Sequence, residues 1–277
     1  MSGNILNLEQ ITDSAVGGKA YGLSRLLAMG LPVPPAFVIR GARAGSYPDD
    51  LEQRYHSLGG GKVAVRSSAQ GEDGADVSFA GQYDTVLNVA DSTRLRQAID
   101  HCVASFTGDR AARYREDQLD AAEAAQDAIP TNAGAMNLVV QCMVDARAAG
   151  VVFTGDPVSA RRDILIIDAV AGLGESLVSG EATPDHYAVD SAGVIVRRHL
   201  VGDNALLSDL EICKIADQAR AAADHEGHPL DLEWAIDQAG VLYWLQARPI
   251  TTLPADLNEF DTTLPLSLIH ISEPTRL

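Results

Sequence analysis

The segment at residues 231–248, DLEWAIDQAGVLYWLQAR, predicts a β-hairpin. Residues 230–236 and 241–245 are strand-like runs rich in apolar and aromatic side chains. The four residues between them, 237–240, read Asp-Gln-Ala-Gly, a composition typical of a turn. The pattern therefore predicts two adjacent antiparallel strands in this part of the chain.

Side-chain alternation gives the predicted hairpin a polar face. Asp231 and Glu233 lie on one side of the first strand, and Gln246 and Arg248 share a side of the second. A symmetric turn places Asp231 opposite Gln246 with all four groups on one face, an arrangement that a β-bulge would break. Carboxylates and an amide oxygen can hold Mg²⁺ beside a phosphate that the guanidinium binds. The alternative is a solvated face with a cross-strand ion pair. The neighbouring Trp234 argues against this alternative, because a tryptophan suggests a half-buried site.

Two earlier segments carry groups suited to phosphate. The glycine pair 17–18 precedes Lys19 at the start of a predicted helix, where backbone N–H groups and the lysine charge favour an anion. Arg66 ends a predicted strand and opens a polar loop that reaches Gly81 and Gln82, and loops of this length are often functional. The alternatives are a plain turn with a surface lysine and a mobile surface loop.

An apolar strand at residues 137–144 contains Gln141, Met143 and Val144. The backbone edge of such a strand can bind an adenine ring, although a core strand explains the composition more simply. Residues 172–175, Gly-Leu-Gly-Glu, suit either a glycine loop near phosphates or a tight turn.

Composition limits the function classes. The 277 residues are 46% hydrophobic and carry a formal net charge of −17, which disfavours nucleic acid and anionic membranes as partners. Three separated cysteines fit a reducing compartment and form no zinc motif. No signal peptide or transmembrane run is recognisable, so we expect a cytoplasmic protein.

The chain mixes helices and strands in two β-rich halves, which favours an α/β or α+β fold. Residues 41–62 suggest a short connection, and residues 91–125 suggest two helices broken near Thr107 and Gly108. Residues 264–277, LPLSLIHISEPTRL, differ from the rest and resemble translated vector sequence, so we expect a tail at 256–277 that is non-native from about residue 264.

Seven ordered blocks closely resemble the nucleotide-binding domain of phosphoenolpyruvate synthase (pyruvate, water dikinase), which pyruvate phosphate dikinase and rifampicin phosphotransferase share. They are VGGKAYGLSRLLAMGLPVPPAFVI, VAVRSSAQGED, SFAGQYDTVLNV, VVQCMV, GVVFTGDP, GLGESLVSGEATPDHY, and DLEWAID with LQARPIT. The resemblance implies an ATP-grasp fold with the nucleotide between two lobes. We expect a shortened N-terminal lobe at residues 1–135 and a C-terminal lobe at residues 136–255.

The resemblance also implies the reaction: Mg-ATP phosphorylates a histidine on a separate domain, and this phosphohistidine passes the group to a final acceptor such as pyruvate. Residue by residue, it assigns phosphate contacts, a loop over the phosphates, an adenine site and a metal site. In this assignment, Lys19, Arg66 and Arg248 contact the phosphates, and Gly81 and Gln82 belong to the loop over them. Gln141, Met143 and Val144 form the adenine site, and Glu233 and Gln246, with Asp231 nearby, form the metal site.

The chain departs from the family pattern in three ways. The connection before residue 63 is short, Tyr83 replaces a frequent glutamine, and no phosphohistidine segment or pyruvate-binding barrel is recognisable. We therefore expect a phosphotransferase module that is incomplete alone and needs a histidine in cis or in trans. The alternatives are a non-catalytic nucleotide-binding or regulatory module and a fragment of a rifampicin phosphotransferase.

Overall fold

The structure is a computed structural model that describes residues 4–69, 85–120, 136–157, 159, 161–178 and 180–251. Five helices are interspersed among the eleven strands of these residues. In chain order they are β1 (Ile5–Asn7), α1 (Gly18–Ala28), β2 (Ala36–Ala42), α2 (Leu51–Ser57), β3 (Val63–Ser68), β4 (Thr85–Val89), α3 (Ser92–Asp120), β5 (Met136–Cys142), β6 (Ala146–Phe153), β7 (Ile164–Ala171), α4 (Glu175–Val178), β8 (Asp185–Asp190), β9 (Ile195–His199), α5 (Asp209–Glu226), β10 (Leu230–Asp237) and β11 (Leu242–Pro249).

Five strands form a first antiparallel sheet in the order β1-β2-β5-β3-β4. Helices α2 and α3 contribute Leu51 and Ile99 to a core that also contains Val65 and Val140 of the sheet. Each of these side chains is almost fully buried, and burying one such side chain contributes about 1.5–3 kcal/mol. We call this sheet with α2 and α3 the first lobe.

Six strands form a second antiparallel sheet in the order β11-β10-β6-β7-β8-β9. Helix α5 begins at a capping box in which Ser208 accepts from the backbone N–H of Glu211 while the Glu211 side chain accepts from Ser208. Its apolar stripe packs on Trp234 and Trp244 of one sheet face. The opposite face of this sheet is turned away from α5 and faces the first lobe. We call this sheet with α5 the second lobe.

Helix α1 joins the two lobes. Ala20 packs with Val38 and Val139 of the first sheet, whereas Leu26 belongs to the core of the second lobe. A Cβ atom at Gly22 would lie 2.4 Å from the carbonyl oxygen of Ala247 on β11, so glycine is needed for this close approach. The two lobes are therefore held together by direct packing through α1.

The turn before α1 is anchored to the end of β3. Ser68 Oγ donates to the carbonyl oxygen of Val16 at 3.0 Å and accepts from the backbone N–H of Ala20 at 3.1 Å. Gly17 has a φ of +92° and leaves no room for a Cβ beside Ser68, which accounts for the glycine there. The first turn of α1, with Lys19, thus lies against the strand that carries Arg66.

The expected α+β fold class is confirmed by the two sheets and their helices. Two local predictions are wrong: α2 lies within the expected connection at 41–62, and α3 runs unbroken through Thr107 and Gly108. Strand β5 pairs with β2 and β3, so the chain passes to the second sheet at residues 143–145, later than the lobe boundary expected at residue 136.

Candidate functional site

A cleft of about 370 Å³ lies between the facing surfaces of the two sheets. The first sheet contributes Ala64, Arg66 and Gln141 to its wall. The second sheet contributes Val151 and Glu233, and the connection between the sheets adds further side chains. The cleft therefore collects polar groups from segments distant in the sequence.

The β10–β11 hairpin presents its polar residues in a register different from the expected one. Glu233 is paired with Gln246, and Asp231 with Arg248. The prediction that Asp231 faces Gln246 is wrong by two residues. The turn centres on Ala239 instead of between Gln238 and Ala239, which shifts the register by one residue, and β11 contains one extra residue, Leu245, between the pairs Glu233–Gln246 and Trp234–Trp244, which shifts it by a second. This bulge changes the strand face, so Trp244 is buried in the second-lobe core while Gln246 turns to the cleft side.

Arg66 connects the two lobes at one end of the cleft. Its Nη2 donates to Gln246 Oε1 at 2.6 Å and to Glu233 Oε2 at 3.0 Å. Its Nη1 donates to the carbonyl oxygen of Leu245, the bulge residue, at 3.1 Å. The side chains of Arg66 and Glu233 are only 13% and 18% exposed. A charged cluster that water barely reaches therefore marks this end of the cleft.

Arg248 and Asp231 form a second ion pair on the same hairpin. Arg248 Nε donates to Asp231 Oδ2 at 2.9 Å, and both side chains are largely buried. Arg248 lines a separate cavity of about 400 Å³ between α1 and the end of α5, where Arg25 is paired with Glu226 at 2.8 Å. All four polar residues of the hairpin are thus brought together, as two neighbouring pairs.

The other end of the cleft is less charged. Gln141, Met143 and Val144 line it, as does Leu87 of β4. The Met143 sulfur accepts from the backbone N–H of Asn88 at 3.0 Å, which holds β4 to the connection between the sheets. Gln141 is 3% exposed, and its side-chain nitrogen has no hydrogen-bond partner in the structure. A buried amide without a partner is costly, and a ligand with a polar edge would satisfy it.

Cys142 lies beside this end of the cleft and donates from its thiol to the carbonyl oxygen of Leu58 at 3.4 Å. Burial raises the pKa of the Cys142 thiol. The group is therefore a neutral thiol at neutral pH and has a packing role in this structure.

The remaining predicted residues have different outcomes. Lys19 lies in the first turn of α1 beside the end of β3, but it does not belong to the described residues that line the cleft. Gly81 and Gln82 lie outside the described residues. The structure thus brings Arg66 and Glu233 together with residues 141–144 in the cleft, and Gln246 is hydrogen-bonded to Arg66. Asp231 and Arg248 form their own pair, and Arg248 lines the separate cavity.

Sequence reasoning left out several residues of the cleft wall. Leu87 and Leu245 belong to β4 and to the bulge, and neither position has a sequence signal that separates it from a core residue. Leu173, Gly174 and Glu175 also line the cleft. The Gly-Leu-Gly-Glu pattern was the available signal for this segment, and it is too common to decide between a ligand loop and a turn.

The residue types fit a divalent cation. Glu233 Oε2 and Gln246 Oε1 both accept from one nitrogen of Arg66, so two oxygen ligands already converge on a positively charged group. Within the described ranges, no cluster of three or more His, Cys, Asp or Glu side chains could hold a metal ion by itself. One or two carboxylates that share the ion with substrate phosphates are the usual arrangement for Mg²⁺.

The family described as the pyruvate phosphate dikinase AMP/ATP-binding domain matches residues 43–205 and 199–263, which is most of the chain. The chain belongs to this family. The matched segments correspond to the part that the family description calls the AMP/ATP-binding domain.

Curated relatives agree with the family. The chain is 34% identical over 293 residues to a prodigiosin synthesizing transferase, PigC, from Serratia marcescens, covering 86% of this chain and 32% of the relative. It is 34% identical over 312 residues to a probable phosphoenolpyruvate synthase from Methanocaldococcus jannaschii, covering 86% of this chain and 25% of the relative. The chain thus spans a quarter to a third of these two relatives.

Among solved structures, the chain is similar to the biotin carboxylase domain of 2-oxoglutarate carboxylase from Hydrogenobacter thermophilus, with a TM-score of 0.48, 12% identity, and coverage of 85% of this chain and 40% of that chain. It is similar to D-alanyl-alanine synthetase A from Vibrio cholerae, with a TM-score of 0.45, 14% identity, and coverage of 88% of this chain and 57% of that chain.

None of the helices in the described part of the chain is long and apolar enough to cross a membrane.

Proposed function

We propose that this domain binds Mg-ATP in the cleft and donates a phosphoryl group to a histidine on another domain or chain, as one of the paired acceptors of a dikinase. The observation that carries the proposal is the meeting of Arg66, Glu233 and Gln246 across the two lobes at one end of the cleft. The opposite end carries the buried amide of Gln141. The charged end suits a triphosphate, and the mostly apolar end with one amide suits a base. Both parts belong to a ligand of a family of AMP/ATP-binding domains.

We assign some of these residues to nucleotide binding and others to neutralisation of the phosphate charge. Gln141, Met143 and Val144 hold the adenine, and Lys19 and Arg66 bind phosphate oxygens. Glu233 and Gln246, with Asp231 nearby, would hold the magnesium ion, which when bound neutralises phosphate charge. Gly81 and Gln82 would cover the phosphates, as the family resemblance implies.

In the transfer step, an imidazole nitrogen of the acceptor histidine bonds to a phosphorus of ATP. The bond from that phosphorus to the bridging oxygen on its nucleoside side breaks, and this oxygen leaves on the nucleotide with the electron pair. Arg248 binds the transferred group once it has left its pair with Asp231. Catalysis then depends mainly on positioning and on fixed positive charge, as is general for phosphoryl transfer.

The final acceptor lies outside this domain. The matched relatives bear names as different as phosphoenolpyruvate synthase and prodigiosin synthesizing transferase, and this chain matches only a quarter to a third of each. Their shared part supports a common phosphoryl-donating domain, with pyruvate or a similar small molecule used by another domain.

The test is a transfer assay with Mg²⁺, the separately produced histidine domain of a phosphoenolpyruvate synthase, and ATP labelled with ³²P at the β-phosphate in one sample and at the γ-phosphate in another. The proposal expects acid-labile, base-stable label on the histidine domain, the behaviour of a phosphohistidine. The same histidine domain with its own ATP-binding domain is the positive control. Label in that control but not with this chain, despite measurable ATP binding, would favour a non-catalytic nucleotide-binding module.

A further inference from the structure

Arg66 occupies an unusual position for a residue that should bind phosphate. Its guanidinium lies on the oxygens of Glu233 and Gln246, at 3.0 and 2.6 Å, the groups proposed to hold the metal. These contacts cross from β3 of the first lobe to the hairpin of the second. The proposed metal ligands are therefore engaged by a cation of the protein in this structure.

The buried environment explains why this pairing forms. The Glu233 side chain is 18% exposed and Gln246 is 3% exposed, so an unpaired carboxylate there would lose most of its hydration. A buried charge needs a partner of opposite sign with good hydrogen-bond geometry. Arg66 supplies that partner through Nη2, and its Nη1 is fixed by the carbonyl oxygen of Leu245.

The same arrangement leaves one donor of Arg66 unused. Its Nε is buried and has no hydrogen-bond partner in the structure. A guanidinium binds a phosphate best through two parallel N–H groups, and the pair that includes Nε is one of its two forks. The unpaired Nε is thus available to an anion in the cleft, whereas the pairing with Glu233 cannot satisfy it.

We propose that Arg66 couples metal binding to nucleotide binding by occupying the metal ligands until a phosphate draws it away. Glu233 and Gln246 accept a divalent cation only after the guanidinium has left them. Arg66 leaves them readily only when phosphate oxygens replace the lost partners. This assignment rests on the proposed function for the identity of the two ligands.

The coupling works in both directions. If nucleotide raises the affinity for the metal by some factor, the metal must raise the affinity for nucleotide by the same factor. In the absence of nucleotide, a cation approaching Glu233 meets the positive charge of Arg66 at hydrogen-bond distance. Removing that charge should therefore expose a metal site that the wild-type chain conceals.

The test is a titration of the full chain with Mn²⁺ alone, with free Mn²⁺ measured by electron paramagnetic resonance. Arg66→Gln is expected to bind Mn²⁺ about tenfold or more tightly than the wild type in the absence of nucleotide. Arg147→Gln, which removes a half-buried guanidinium paired with Glu211, should match the wild type, because Arg147 lies four positions along β6 from Val151, the cross-strand neighbour of Glu233. If Arg66→Gln does not fold, Arg66→Lys should show an intermediate gain, because the ammonium keeps the charge but cannot make all three hydrogen bonds.

Equal Mn²⁺ affinity of the folded Arg66 variant and the wild type would overturn the coupling role. Repeating the titration with ATP present, beside a protein-free sample because ATP itself binds Mn²⁺, separates this failure from a failure of the proposed function. Tight Mn²⁺ binding beyond that of ATP alone, but no gain in the Arg66 variant, rejects the coupling alone. No Mn²⁺ binding beyond that of ATP in any sample rejects the metal site itself and the coupling with it.

Discussion

Glu233 on β10 is the direct cross-strand neighbour of Gln246 on β11, and the bulge at Leu245 makes this pairing possible. Without the extra residue, the alternation of β11 would place Gln246 on the same face as Trp244, in the core of the second lobe. The bulge lets one short strand supply both a core tryptophan and a polar cleft residue. It also presents the Leu245 carbonyl oxygen to Arg66.

Glu233→Gln is expected to reduce metal-dependent phosphoryl transfer by about 100-fold or more, because it removes the charge proposed to hold the metal. The isosteric amide should leave the fold intact. The transfer assay measures the effect, and Glu211→Gln, which alters a comparable half-buried pair with Arg147, is the control. Equal transfer by the two variants would refute the role of Glu233.

Gln141→Leu tests the assignment of the base end. The amide nitrogen has no partner in the structure, so removing it should not lower the melting temperature of the nucleotide-free chain. Loss of a hydrogen bond to the base should weaken ATP binding about tenfold. Thermal shift with and without ATP measures both effects. An unchanged ATP-induced shift would place the base elsewhere.

Gly22→Ala tests the junction between the lobes. The added Cβ would lie 2.4 Å from the Ala247 carbonyl oxygen, so α1 must move away from β11. Overpacking of this kind should cost about 1–3 kcal/mol in the free energy of unfolding. Gly202→Ala, where a Cβ would have no atom within 4 Å, is the control for urea unfolding. Equal stability of the two variants would contradict the close packing.

Tyr187 should make the stability depend on pH in alkaline solution. Burial, reinforced by the hydrogen bond from its hydroxyl to Asp185 Oδ2 at 3.0 Å, raises the pKa of Tyr187 to about 12. The pKa of Tyr187 in the folded protein exceeds the ordinary value of about 10. The neutral Tyr187 hydroxyl therefore makes its full contribution to the free energy of unfolding below pH 10, and this contribution is lost as the pH rises towards 12. The stability difference between wild type and Tyr187→Phe should therefore narrow above pH 10. A constant difference in urea unfolding from pH 9 to 11.5 would contradict this.

The sequence predicted the elements with strong local signals. Helix α1 begins at the glycine pair 17–18, and the turn at 237–240 joins β10 to β11. Gly108 was a misleading signal, because a single glycine does not end a helix that its neighbours sustain. Helix α2 was missed, since seven residues between glycine-rich turns give little periodicity.

Part of the cleft was predictable because its residues follow a local sequence pattern. Alternation placed Asp231, Glu233, Gln246 and Arg248 together, but their pairing depended on a bulge that no residue pattern announces. The pairing of Arg66 with Glu233 joins residues 167 positions apart and depends on how the lobes pack. Such long-range geometry follows from tertiary structure and has no local sequence signature.

The most direct test of the central claim is a calorimetric titration of the purified chain with ATP, with and without Mg²⁺. The account predicts saturable binding at one site, stronger with Mg²⁺, and weakened in both Lys19→Ala and Glu233→Gln. Absence of binding at millimolar ATP in a folded chain, or binding that both substitutions leave unchanged, would contradict it.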